Sequence, residues 1–159
     1  MLKKTTWYVY ALWIGFTELV GLISALLTRE GTEIYKLFAA KPPLTPPAIV
    51  FPIAWSILYA LMGFGAARID LAPASDERSR GLRFYFAQLG FNFFWSILFF
   101  NRQAYGFALA WLAVLWVLIL WMVYFFRKVD RLTGNLQIPY LLWVSFAAYL
   151  NAGVWLLNS

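Results

Sequence analysis

Long apolar runs separated by short polar intervals dominate the chain. A helix needs roughly 20 predominantly apolar residues to cross a hydrocarbon layer about 30 Å thick. Five segments meet that length, at about 5–27, 48–69, 82–100, 104–126 and 136–157. The pattern predicts an all-α membrane protein, a five-transmembrane-helix bundle that forms one domain over residues 1–159. Lys3 and Lys4 before the first run resemble the start of a leader peptide. That run is long for a leader, no clean small-x-small cleavage site follows, and four further spans come after it, so it reads as a mature helix.

One connector is long. Residues 28–47 hold Arg29, Glu30, Glu33 and Lys36, then Lys41-Pro42-Pro43-Leu44-Thr45-Pro46-Pro47. Proline lacks a donor and restricts its predecessor, so the latter stretch should be extended. Pro46 or Pro47 then fits the first turn of the second span. The connector is a candidate pocket lid, or else simply a helix starter. Asp70–Gly81 reads as a solvated turn, and Gly134 as the end of the last connector.

Composition agrees with this picture. The chain is 63% hydrophobic and 13% charged, with a mean hydropathy of +0.69. Soluble domains carry about 45–50% apolar and about 25% charged residues, and a small globule must wet much of its chain. The net charge of +6 comes without a basic stripe or a nucleic-acid reading module, so the expected partner is membrane lipid and not nucleic acid. Lys3, Lys4, Arg68, Arg78, Arg80, Arg83, Arg127, Lys128 and Arg131 would share one side. Only Arg29, Lys36, Lys41 and Arg102 would share the other. That bias puts the N-terminus inside, as in a bacterial cytoplasmic membrane. Histidine and cysteine are absent, which excludes disulfides, a Cys/His zinc site, a Cys nucleophile, a His base and a His-ligated haem. No metal site is expected, and no internal repeat supports an inverted-repeat transporter.

The polar residues inside the spans carry the functional information. Gln88, Asn92 and Ser96 recur at every fourth position of the third span, with Trp95 beside them. Such groups point into the bundle, toward another helix or a ligand. Asn151 in the fifth span is similar. Glu18 is the one carboxylate well inside a predicted span, a candidate functional group by default. Trp55 and Tyr59 share a face of the second span, and Trp143 and Ala147 lead to Asn151 in the fifth. Aromatics bounded by amides suit a flat hydrophobic ligand; packing among bulky side chains is the other reading. Trp7, Tyr8, Phe125 and Trp155 fit interfacial belts. Gly63 and Ala67 permit close helix contact.

Several local words match a known family: Lys41-Pro42 with Pro46-Pro47; the stretch from Val50-Phe51-Pro52 through Trp55 and Tyr59 to Gly63; Gln88 through Trp95 with Phe99-Phe100; and Pro139 through Trp143, then Phe146-Ala147 and Leu150-Asn151. In these the chain resembles the tryptophan-rich sensory protein / translocator protein family, over nearly its whole length. The resemblance implies a five-helix bundle, often a homodimer, with a pocket closed by the first connector. It also implies binding of porphyrins such as protoporphyrin IX, as ligand or substrate with no resident cofactor. Trp55 and Trp143 match the pocket tryptophans implicated in light-dependent porphyrin breakdown, and would be catalytic only in a photochemically active protein. Gln88, Asn92 and Ala147 match pocket-lining positions, and Tyr35 matches the loop tyrosine. The expected ligand set is thus Tyr35, Trp55, Tyr59, Gln88, Asn92, Trp95, Trp143, Ala147 and Asn151, with Lys36 or Lys41 pairing a propionate at the mouth. Leu44 and Ile34 replace tryptophans usual in the connector, and the spacing from Tyr35 to Lys41 is one residue longer. No Lys or Arg follows Tyr149, so the C-terminal cholesterol pattern is incomplete. The leading function is a porphyrin receptor in tetrapyrrole handling or stress sensing. A light-dependent porphyrin-degrading enzyme is the alternative, and a proton-coupled transporter built around Glu18 the third.

Overall fold

The computed structural model describes residues 6–159; Lys3, Lys4 and the Thr5 start of the first expected span lie outside them. The described elements are helices: α1 (Trp7–Leu27), α2 (Arg29–Phe38), α3 (Val50–Asp70), α4 (Asp76–Ser96) with a π-helical extension over Ile97–Asn101, α5 (Tyr105–Val129), α6 (Arg131–Asn135) and α7 (Ile138–Leu157).

Among the described residues, four stretches are long and apolar enough to cross a membrane: α1, α3, α5 and Arg131–Leu157, which joins α6 to α7. The expectation of five spans meets four by length and composition. The remaining helix, α4, is equally long but polar, with Asp76, Glu77, Arg78, Arg80 and Arg83 crowding its first turns and Gln88 and Asn92 further along. It also begins earlier than the apolar run. Ser75 caps it by accepting from the Arg78 amide at 3.1 Å, and Asp76 and Glu77 favour the positive end of the helix. The expected turn over Asp70–Gly81 shrinks accordingly.

Burial in α1 is inverted relative to a soluble helix. Its buried residues are Thr17 and Ser24, while Leu12, Leu19, Leu22 and Leu26 are exposed. Polar groups inside and leucines outside are the order a lipid solvent imposes. Thr17 bonds the Tyr85 hydroxyl on α4. Helices α1 and α3 approach closely because Gly63 lacks a side chain: a Cβ there would lie 2.5 Å from Ile14 Cα. Gly63 is therefore packed against α1 within the chain, and Ala67 is fully buried. Trp7, Tyr8 and Trp155 are exposed as belt residues should be, but Phe125 is buried. It stacks on Phe84 with ring centroids 5.6 Å apart, so its belt assignment is corrected.

The long connector is not simply a loop. Residues Arg29–Phe38 form α2, followed by an extended, proline-bearing strap. Gly31 makes this possible: a Cβ there would meet the Phe100 carbonyl oxygen at 2.6 Å, so only glycine lets α2 lie against the π-helical turn. The strap is tied to α7. Asn158 bonds both backbone groups of Ala40, at 3.0 and 2.9 Å, and the Tyr149 hydroxyl donates to the Pro43 carbonyl at 2.7 Å. Pro46 and Pro47 precede the first turn of α3; Pro52 lies within it, where a missing donor costs nothing. Gly134 lies within α6, packed on the Arg127 backbone.

Candidate ligand cavity

A cavity of about 620 Å³ lies beneath α2 and the strap, between α1, α3, the end of α4 and α7. Its size is in the range of small-molecule sites, about 300–1,000 Å³. Most of its wall is aromatic or aliphatic.

Two features of local structure place the aromatics. On α3, Trp55 and Tyr59 are one turn apart and stack at 5.5 Å; Trp143 of α7 meets Trp55 edge-on at 6.4 Å and 88°. On α4, the passage from α to π geometry adds a residue to the turn, with the Arg102 amide bonding the Ile97 carbonyl at 3.0 Å. This brings Trp95, Phe99 and Phe100 to the cavity together. Trp95 stacks on Phe99 at 5.1 Å, and Tyr35 from α2 meets Phe100 edge-on at 5.4 Å. Single-turn π segments are frequent at functional sites. Burial, with the nearby Tyr105 adding to it, pushes the Tyr35 phenol above its ordinary value, so it stays a neutral donor.

Of the residues expected from sequence, Tyr35, Trp55, Tyr59, Trp95, Trp143, Ala147 and Asn151 line the cavity. Trp95 Nε1 donates to Asn151 Oδ1 at 3.1 Å, and Asn151 Nδ2 donates to the Tyr105 carbonyl at 2.8 Å. That amide is held as part of the wall. Gln88 and Asn92 are absent from the lining. They are buried behind it: Tyr59 donates to Asn92 Oδ1 at 3.2 Å, Asn92 Nδ2 to the Tyr140 hydroxyl at 2.7 Å, and Tyr140 to Gln88 Oε1 at 2.7 Å. The expectation that these amides offer bonds to a ligand edge is thereby corrected, because Tyr59 and Tyr140 already use them. Glu18 is half-buried on α1, also outside the lining.

Sequence reasoning missed Phe51, Phe99 and Phe100 as wall residues, and Gly21 and Ser24 of α1. It also missed Arg29, Thr32 and Glu33 of the polar rim that α2 supplies; Lys36, expected at the mouth, does line it. Their i, i+3, i+4, i+7 spacing is the signal that could have found that face. No group of three or more His, Cys, Asp or Glu that could hold a metal exists among the described residues.

Comparison with known proteins gives this architecture its place. The model of the TspO/MBR family matches residues 10–156. The chain belongs to the TspO/MBR family. It is 34% identical over 149 residues to the tryptophan-rich protein TspO of Chlorobaculum tepidum, covering 93% of this chain and 94% of that one. It is 38% identical over 119 residues to protein CrtK of Rhodobacter capsulatus, 74% of each chain. To the translocator protein of Bos taurus it is 34% identical over 148 residues, 89% of this chain and 87% of the bovine one. Family membership and the apolar helices together make this an integral, multi-pass membrane protein.

Proposed function

We propose that this TspO/MBR protein is a membrane receptor for flat, hydrophobic, porphyrin-like ligands, held in the cavity beneath α2. The observation that carries the reading is the wall itself: Trp55, Trp143, Trp95, Phe99 and Phe100 present ring faces and edges around about 620 Å³. A macrocycle gains dispersion and apolar burial from such a wall without a metal ligand. Quenching of tryptophan fluorescence by protoporphyrin IX tests it. Saturable quenching weakened several-fold in Trp143→Phe supports the reading, and equal curves in folded wild type and variant remove Trp143 from the site.

In this reading α4 is the fifth span, with Tyr85 turned inward to Thr17 and Gln88 and Asn92 turned inward to Tyr59 and Tyr140, and its charged start at the membrane surface. The N-terminus is cytoplasmic in a bacterial inner membrane, following the Lys and Arg bias. The protein is a homodimer, with a seam that does not use Gly63.

One observation favours the enzymatic alternative. Trp55 is in ring contact with Trp143, Tyr59 and Tyr140, at 6.4, 5.5 and 6.2 Å, so electron-rich donors surround any photoexcited ligand. Trp55→Phe should then keep dark binding and lose light-driven conversion. Bleaching no faster than that of free porphyrin in detergent rejects the activity.

A further inference from the structure

The face of α2 that looks into the cavity repeats at Arg29, Thr32, Glu33 and Lys36, the i, i+3, i+4, i+7 stripe of one helix side. Lys41 joins it from the strap. Two of these three cations are already engaged. Lys36 Nζ pairs with Glu33 Oε1 at 3.2 Å. Lys41 Nζ donates to the carbonyl oxygens of Lys36 and Ala39, at 3.2 and 3.0 Å, and stands 4.9 Å over the Tyr35 ring. Arg29 lines the same rim, and its side chain has no hydrogen bond or ion pair with any described residue. The same cavity is lined by the apolar rings of Phe51, Trp55, Phe100 and Trp143.

We infer that Arg29 is a carboxylate-recognition residue at the cavity mouth, so that the ligand is an anionic amphiphile: a flat apolar body inserted first, with a carboxylate left at the rim. This rests on the cavity being the ligand site. The guanidinium fork matches a carboxylate in two parallel bonds, which the lysine ammonium cannot do. Lys41 ties the strap to the end of α2, Lys36 is paired within α2, and Arg29 reads the charge. The sequence alone assigned that role to Lys36 or Lys41; their partners in the structure transfer it to Arg29. A neutral compound of the same body would occupy the wall but leave Arg29 unused.

The test compares protoporphyrin IX with its dimethyl ester, in the dark, in phosphatidylcholine nanodiscs. Wild type should bind the diacid about three- to tenfold more tightly than the ester, the modest factor reflecting a partly solvated mouth. Arg29→Gln should bring the diacid down to the ester's affinity and leave the ester unchanged. Arg29→Lys should restore part of the preference. A preference that survives Arg29→Gln, or an equal loss for both compounds, overturns the inference. So does a preference that vanishes in wild type once phosphatidylglycerol replaces half the lipid, because Arg29 would then serve lipid headgroups. If wild type binds neither compound, the cavity reading itself fails; binding of both with no preference defeats only the role of Arg29.

Discussion

The Asn92 side-chain amide donates to the Tyr140 hydroxyl at 2.7 Å, joining α4 to α7 across the middle of the bundle. Tyr140 passes the bond on to Gln88, and Tyr59 closes the set from α3. Three helices thus share one buried polar network directly behind the cavity wall. In lipid, where no water competes, such a network fixes which faces meet.

Removing one member strands the others. Tyr140→Phe leaves Gln88 Oε1 and Asn92 Nδ2 without this partner, a loss of about 1–3 kcal/mol for buried polar groups. Thermal unfolding in detergent should show a clear drop in Tm for Tyr140→Phe and for Asn92→Ala. Porphyrin affinity of the folded protein should fall less in Asn92→Ala than in Trp143→Phe. An unchanged Tm would show that the network contributes nothing.

Gly31 sets the seating of α2. With a Cβ meeting the Phe100 carbonyl oxygen at 2.6 Å and its carbon at 2.7 Å, Gly31→Val must lift α2 from the π-helical turn, since backbone cannot yield as a flexible side chain can. Amide exchange across Arg29–Phe38 should quicken, and ligand should dissociate faster by about tenfold or less. Identical exchange in the variant would contradict the close packing described.

Legibility in the sequence followed the physics of each element. Helices α1, α3, α5 and α7 announce themselves because lipid demands continuous apolar runs. Helix α2 is less legible despite the helical spacing of Arg29, Thr32, Glu33 and Lys36, because it is short and polar and its seating depends on a glycine meeting a carbonyl far along the chain. The inward direction of Gln88 and Asn92 was readable from their spacing. Their engagement was not, because it depends on Tyr140, whose hydroxyl arrives from a helix 48 residues later. The π turn that gathers Trp95, Phe99 and Phe100 leaves no residue signature at all; it is a backbone register. Arg29 was hidden for a related reason. Only the structure shows that Lys36 and Lys41 are taken.

At the other end of the bundle, Arg68 holds Asp130 at 2.7 Å. The Thr133 hydroxyl, first, holds the Asp130 carboxyl below its ordinary value; burial opposes it, and the Arg68 guanidinium and the Leu132 amide add to the lowering. A depressed carboxyl stabilises the fold above its unfolded value, and that contribution disappears as pH falls through the lower folded value. The gain is on the order of 1 kcal/mol for a partly exposed pair. Wild-type Tm should therefore decline as pH is taken below the usual carboxylate range, with part of that decline missing in Asp130→Asn. Parallel curves for the two proteins would assign the acid sensitivity elsewhere.

The central claim is that an aromatic hollow within the bundle receives the ligand, and Ala147 tests it most directly. Ala147 lines the cavity with little exposure, and a larger side chain there would occupy the space a macrocycle needs. Protoporphyrin IX should be titrated in nanodiscs against wild type and Ala147→Phe, with circular dichroism confirming equal helix content. The account predicts saturable quenching in wild type and a loss of affinity of tenfold or more in the variant. A folded Ala147→Phe protein with wild-type affinity would contradict it.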